Sequence, residues 1–171
     1  MKIGFTGTQK GMTDIQKSSF STVISEFFRG ASHKEFHHGD CIGADAEAHQ
    51  LILDYNHELW FDYEAEVAIH IHPPTNESKQ AKCEFFEKYY KPAPYLTRNR
   101  DIVNACNILV ATSAYIPGVE KGGTWYTINY AKTKKTIPIW IIYPDGTVDE
   151  KLYYQLLKEL KNESGKSERS N

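Results

Sequence analysis

Short apolar runs alternate along the chain with longer segments in which apolar residues recur every three or four positions. The first run, residues 1–6, predicts a buried strand that ends at Gly7. A helix is then predicted from Thr13 or Asp14 to Gly30. Its apolar positions follow the period of an α-helix: Phe20, Val23, Ile24, Phe27 and Phe28. The chain therefore begins with a strand followed by a helix.

The same alternation continues through the middle of the chain. Residues 34–38 predict a second strand, and a loop of small and polar residues follows at 39–45. A helix comes next, because apolar positions again have helical spacing: Ala48, Leu51, Ile52 and Tyr55. Residues 67–72 predict a third strand, which Pro73 and Pro74 end. Three strands are thus separated by helices or loops.

Further elements are predicted beyond the third strand. They are, in order, a polar helix over 76–90, an extended connector at 91–94, a helix from Thr97, a strand at 108–112, a helix to about Lys135, a strand at 137–142, a turn at 144–146 and a helix over 152–160. Residues 162–171 are polar and are predicted to form a disordered tail. Because no repeat or linker divides the chain, residues 1–161 are predicted to form a single domain.

Strands separated by helices predict an α/β fold with a mainly parallel sheet and right-handed crossovers. We expect a Rossmann-like, doubly wound sheet of five strands in the order 3-2-1-4-5, with helices on both faces. In that order the first and fourth strands lie side by side, where the winding of the sheet reverses. Ligands of such sheets bind at the carboxyl ends of the strands at this point.

The composition and charge of the chain argue against nucleic acid and membranes as partners. The 171 residues carry a formal charge of −2 and 40% hydrophobic residues, as in ordinary soluble domains, so nucleic acid is not an expected partner. No apolar run approaches the roughly 20 residues of a membrane span, so no membrane association is expected. The three cysteines form no CxxC pair and no signal peptide is recognisable, which together favour a cytoplasmic location.

Three turns rich in small residues follow predicted strands: 6–9, 38–43 and 113–124. In a parallel sheet all three lie at one edge, although they are far apart in sequence. Backbone N–H groups of residues 7–9, of Gly39 and of residues 122–124 would then hold a phosphate group. Thr124 is also predicted to cap the helix that follows. The three turns together predict a pocket for a phosphate-bearing ligand.

Several side chains near these turns are candidates for binding. Arg98 and Arg100 precede the fourth strand and would bind phosphate through paired hydrogen bonds. Alternatively, they lie on a solvated helix face or form a salt bridge to Asp101 or Glu120. Asp45 falls in the first turn of a helix, where the macrodipole favours a carboxylate, or it binds a sugar hydroxyl or a cation. Trp125 and Tyr115 would stack on a base, or pack in the core or a dimer interface.

The histidines show no familiar metal-binding pattern. His37 and His38 are adjacent on a strand, so their side chains point to opposite faces. Nearby histidine, acidic and thiol groups have no known ligand spacing: Asp40, Cys41, His70 and His72. We therefore predict no metal and no cofactor, and we place His38 at the rim of the pocket.

Four short motifs resemble those of the SLOG superfamily of Rossmann-like domains, in particular its small stand-alone YpsA-related members. They follow one another in the order and spacing of that family over residues 1–145: 5–8, 38–45, 98–103 and 122–127. The resemblance implies binding of a nucleotide or a nucleotide-derived ligand. Together with the aromatic content, it also makes a homo-oligomer the expected state.

The resemblance also bears on catalysis. Related phosphoribohydrolases carry a Pro-Gly-Gly-x-Gly-Thr-x-x-Glu motif whose arginine and glutamate serve N-glycosidic cleavage. This chain departs from it, because Thr127 stands near the position of the glutamate, and Glu120 lies upstream instead. Asp45 and Glu120 are then the candidate catalytic carboxylates.

The leading hypothesis is therefore a domain that senses, sequesters or processes a phosphorylated nucleotide-type ligand. The alternative is a hydrolase that cleaves the N-glycosidic bond of a nucleoside monophosphate or a related nucleotide, and a third possibility is an interaction module with a vestigial pocket. The residues expected to bind the ligand are Thr6, Gly7, Thr8, Gln9, His38, Gly39, Asp40, Gly43, Asp45, Arg98, Asn99, Arg100, Thr112, Ser113, Gly122, Gly123, Thr124, Trp125 and Thr127.

Overall fold

The computed structural model describes residues 1–62 and 65–150. Its strands are β1 Lys2–Gly7, β2 Lys34–His38, β3 Val67–Ile71, β4 Lys88–Tyr89, β5 Ile108–Thr112, β6 Ile139–Ile142 and β7 Val148–Asp149. Its α-helices are α1 Asp14–Phe28, α2 Ala44–Asp62, α3 Tyr95–Ala105 and α4 Gly122–Tyr130, which continues as a π-helix over Ala131–Lys135. The predicted helix over 152–160 and the predicted tail at 162–171 lie outside the described residues.

The seven strands form one sheet in the order β4-β3-β2-β1-β5-β6-β7. All neighbouring pairs are parallel except β6 and β7. The prediction of five strands is wrong, because the two-residue strands β4 and β7 extend the sheet at its edges and are too short to leave a hydrophobic pattern in the sequence. The five longer strands are adjacent in the relative order that we expected.

Helices cover both faces of the sheet, as the alternating side chains of β5 illustrate. Ile108 and Val110 belong to a core cluster shared with α1 and α2. Leu109 and Ala111 belong to a second cluster shared with α3 and α4. Because successive side chains of a strand point to opposite faces, the helices lie on opposite sides of the sheet. The α/β class with a mainly parallel sheet is confirmed.

The first helix illustrates how local sequence defines an element. Thr13 is the N-cap of α1, and its side chain and that of Gln16 form a reciprocal capping box. The apolar face of α1 buries Phe20, whose ring meets the Phe5 ring edge-on at a centroid distance of 5.3 Å. Both phenylalanine rings are fully buried, so this contact packs α1 against β1, the central strand of the sheet.

The polar segment 76–90 is not the helix that its composition suggested. It holds one turn of 3₁₀-helix, Glu77–Lys79, and then runs irregularly to β4. Lys82 and Phe85 adopt positive φ angles of 58° and 61°, which a helix does not allow. The backbone N–H of Ala81 donates to the carbonyl of Asp40 instead of to a helical partner. The segment is shaped by the turn after β2, on which it packs.

The two helices nearest the expected site also begin differently from the predictions. α3 starts at Tyr95, directly after Pro94, and not at Thr97. α4 starts at Gly122 with Lys121 as its N-cap, so Thr124 lies inside the helix and the prediction that it caps the helix is wrong. No helix in the described part of the chain is long and apolar enough to cross a bilayer.

Candidate functional site

The three glycine-containing turns lie at one edge of the sheet, because β1, β2 and β5 are parallel neighbours. The first and second turns touch each other. The N–H of Ala44 donates to the carbonyl of Thr8 at 3.0 Å. A Cβ atom on Gly43 would collide with the backbone of Gln9, and the φ of Gly43 is +89°. Only glycine allows this approach of the two turns.

The first turn also packs closely on the end of β5. A Cβ atom on Gly7 would collide with Ala44 and would lie 2.6 Å from the Thr112 hydroxyl. Thr6 and Thr112 are both buried beside this contact. The Ser113 hydroxyl, also buried, donates to the carbonyl of Tyr115 at 2.9 Å. These threonine and serine side chains help to build the edge of the sheet and expose little surface.

The polar groups of the second turn are hydrogen-bonded or paired with the protein's own side chains. Oδ2 of the buried Asp45 accepts the N–H of Cys41 at 3.1 Å and lies 3.6 Å from Nη1 of Arg98. The guanidinium of Arg98 is buried against Gly39, where a Cβ atom would collide with it. Burial raises the pKa of Asp45, and the nearby Arg98 charge opposes that rise. Neither charge of this pair is open to a ligand.

A side chain of the second turn also anchors segment 76–90. Asp40 is fully buried with a φ of 53°, and its Oδ1 accepts the N–H of Cys83 at 2.9 Å. His38 Nε2 and His49 Nδ1 are 3.0 Å apart, and His49 Nε2 donates to the carbonyl of Glu84 at 2.7 Å. Burial holds the pKa of His38 well below its usual value, so the ring is neutral. His38 lies inside the fold and not at a pocket rim.

The third turn, unlike the second, leads into a helix whose first turn is open and uncapped. α4 begins at Gly122, where φ is +84°, and within residues 1–62 and 65–150 no side chain caps its first turn. A Cβ atom on Gly122 would have no described atom within 4 Å, so the helix start faces open space. A Cβ atom on Gly123 would instead collide with the Tyr95 hydroxyl. The uncapped N-terminus carries partial positive charge.

A cleft of about 280 Å³ opens at this edge of the sheet, between the first turn and segment 76–90. We call it the edge cleft, and its lining includes Gln9, Pro74, Thr75, Asn76, Lys79 and Tyr95. The exposed Lys79 places its Nζ 3.3 Å from Oε1 of Gln9. Because Tyr95 lines the edge cleft and also contacts Gly123, it joins the cleft to the start of α4.

The other predicted residues of α3 and α4 lie outside the edge cleft. Asn99 donates from Nδ2 to the Thr127 hydroxyl at 2.7 Å, which ties the two helices together. Arg100 is on the outer surface, where its Nε donates to the Tyr126 hydroxyl at 2.7 Å. Thr124 and Trp125 are buried, and Trp125 belongs to the core beneath α4. These residues support the helix pair that carries Gly122 and Gly123.

The two candidate catalytic carboxylates are not brought together. Asp45 is buried and paired with Arg98. Glu120 lines a separate groove of about 320 Å³, which it shares with Trp125, Lys132 and other residues. The described geometry therefore does not bring these two carboxylates to one ligand.

The structure also brings together a polar cluster in which two of the histidines considered as metal ligands, His37 and His70, lie beside Glu35, which the sequence did not single out. Glu35 and His37 on β2 lie beside His70 on β3, with His37 and His70 directly opposite each other in the parallel register. The sequence held a signal for it, because Glu-x-His and His-x-His patterns place both side chains on one face of a strand.

No protein-family model matches the sequence, and a search of curated proteins finds no match. The resemblance to the SLOG superfamily therefore remains a prediction that rests on the four motifs alone.

Proposed function

We propose that the protein binds a phosphorylated nucleotide-type small molecule at the carboxyl edge of its sheet. The phosphate group would lie between the uncapped start of α4 and the ammonium group of Lys79, and the remainder of the ligand would lie along the edge cleft. The observation that carries the proposal is the convergence of the turns after β1 and β5 on one edge, next to an open helix N-terminus. Such N-termini bind phosphate through free N–H groups and the helix dipole.

Charge and hydrogen-bonding groups in the edge cleft support this proposal. Lys79 supplies an exposed ammonium group, and the side chains of Gln9 and Asn76 supply amide donors and acceptors. Tyr95 offers an aromatic ring next to Gly123, at a suitable place for contact with a base or a sugar. The cleft thus combines a cation, neutral polar groups and an aromatic surface, which suits a ligand with a phosphate at one end.

The positions of the carboxylates favour binding over N-glycosidic cleavage. A hydrolase of this kind needs a carboxylate near the anomeric carbon. Asp45 is already paired with Arg98, and Glu120 lines another groove. We therefore expect no release of free base when the protein is incubated with nucleoside monophosphates. Base release that depends on the protein would contradict a role in binding alone.

Calorimetric titration with adenosine monophosphate, ribose 5-phosphate and adenosine tests the proposal. We expect the two phosphorylated compounds to bind and adenosine to bind much more weakly. Lys79→Met removes the cation of the edge cleft and should weaken phosphate-dependent binding by roughly 10- to 100-fold, the effect of losing one charged hydrogen bond. Lys132→Met is the matched control, because Lys132 is also exposed but lines the groove of Glu120.

Two outcomes would contradict the proposal. One is that neither phosphorylated compound binds at millimolar concentration, since an open helix N-terminus and a cation should give at least weak affinity. The other is that Lys79→Met and Lys132→Met weaken binding equally, which would place the ligand away from the edge cleft.

A further inference from the structure

The face of β2 and β3 that points away from α1 and α2 carries a compact group of ionisable side chains. Phe36 and Ile69 point to the face that α1 and α2 cover. By strand alternation, Glu35, His37 and His70 point to the other face. Glu35 and His37 are buried and His70 is half-buried, so the group lies just beneath the surface.

These three side chains have the identity and spacing of a metal site. One carboxylate oxygen and one nitrogen of each ring all lie within 4.8 Å of one another. Oε2 of Glu35 and Nε2 of His37 are 3.1 Å apart. Ligand atoms of a tetrahedral Zn²⁺ ion, at about 2.0–2.1 Å from the metal, are separated by roughly 3.4 Å. Small side-chain movements would therefore bring the three atoms around one ion.

One ring atom of this group has no role in the described fold. Nδ1 of His70 is buried and has no hydrogen-bond partner among the described residues. A buried imidazole nitrogen without a partner is unfavourable, because it has lost its bonds to water without replacement. A metal ion at the centre of the group would give this ring a bonding partner.

The surrounding contacts resemble the outer shell of a metal site. Nζ of Lys2 lies 3.0 Å from Oε1 of Glu35, so it holds one oxygen and leaves Oε2 directed at His37. Nδ1 of His37 is 3.1 Å from Nε2 of His72. Once Nε2 of His37 binds the ion, the proton of that ring lies on Nδ1, which then donates a hydrogen bond to Nε2 of His72. Such outer contacts orient ligands and fix the tautomers of ligating histidines.

We propose that Glu35, His37 and His70 bind a divalent transition-metal ion of the Zn²⁺ class. Two imidazoles and one carboxylate are a recognised ligand set for zinc, and three protein ligands leave a fourth position for water. Hard ions such as Mg²⁺ are disfavoured, because they prefer oxygen ligands. The site lies on another part of the sheet from the edge cleft and does not depend on the function proposed for that cleft.

The test uses the full chain after treatment with a chelator, titrated with Zn²⁺ in competition with a chromophoric chelator. We expect one tight site per chain. His70→Gln should weaken it by more than about 100-fold, since even outer contacts of metal sites contribute roughly 10- to 100-fold. Glu35→Gln should act similarly. His57→Gln, which changes an exposed histidine of α2, should leave the affinity unchanged.

A spectroscopic measurement distinguishes binding at the proposed ligands from nonspecific binding of metal elsewhere on the protein. Co²⁺ in a site with two imidazoles and one carboxylate should give the visible absorption of four- or five-coordinate cobalt, and His70→Gln should abolish it. His70→Gln is expected to fold, because His70 is half-buried and its Nδ1 has no hydrogen-bond partner among the described residues. Absence of a tight Zn²⁺ site, or a site that His70→Gln leaves intact, would overturn the proposal.

Discussion

The turn after β2 and the turn that leads into α4 look alike in sequence, since each has small residues and glycine between a strand and a helix. In the structure they have opposite environments. The turn after β2 is closed, because Asp45, Arg98 and segment 76–90 occupy its groups. The start of α4 is open and has no described side-chain cap. A glycine turn at a sheet edge therefore indicates close packing as readily as ligand binding.

The difference follows from what surrounds each glycine. At Gly39 the missing side chain makes room for the guanidinium of Arg98. At Gly122 the missing side chain allows a positive φ and leaves space in front of the helix. The first glycine serves the fold, and the second is the one available to a ligand. The variants below test this distinction.

The largest effect is expected from breaking the buried pair of the closed turn. Arg98→Ala leaves the buried Asp45 without its counter-charge, which should lower the free energy of unfolding by about 3–5 kcal/mol. Urea denaturation of the variant and the wild type measures this loss of unfolding free energy. Adding Asp45→Asn should recover part of the loss, because no unpaired buried charge then remains. An Arg98→Ala protein as stable as the wild type would contradict the structural role of this pair.

A smaller effect is expected at the contact between α3 and α4. Gly123→Ala would push a Cβ atom into the Tyr95 hydroxyl and should cost about 1–3 kcal/mol of stability. The strain should be relieved when Tyr95→Leu is combined with it, so the two changes should not be additive in thermal or urea unfolding. Strictly additive effects would mean that Tyr95 and Gly123 do not pack against each other.

A matched pair of glycines separates strain from ligand binding. Gly122 and Gly118 have φ angles of +84° and +90°, and a Cβ atom on either would meet no described atom within 4 Å. Changing either to alanine should cost about 1–2 kcal/mol, because both place an L-residue in a left-handed conformation. Only Gly122→Ala should weaken binding of adenosine monophosphate, by several-fold in calorimetry. Equal affinity of the two variants would place the phosphate elsewhere.

The smallest effect is expected from the exposed arginine of α3. Arg100 stacks its guanidinium 5.6 Å from the ring centre of Tyr126. Arg100→Ala should cost about 0.5–1 kcal/mol, as for other exposed cation–π contacts, and should leave nucleotide binding unchanged. A clear loss of affinity in this variant would return Arg100 to the ligand site.

Local sequence patterns accounted for the main elements of the fold. Apolar runs and helical spacing predicted the five longer strands and α1, because burial of one face leaves a period in the chain. The predicted start of the first helix at Thr13 or Asp14 agrees with the structure, in which Thr13 is the N-cap of α1. The parallel arrangement followed from the alternation of strands and helices, and it correctly placed the three turns at one edge.

Only the tertiary structure decided which turn is open, because the deciding contacts join distant residues. Asp40 accepts a hydrogen bond from Cys83, 43 positions further on, and the Arg98 guanidinium reaches Gly39 from another helix. The alignment of His37 with His70 likewise depends on the register of β2 and β3. Periodicity reports whether a residue is buried, but it carries no information about the partner that buries it.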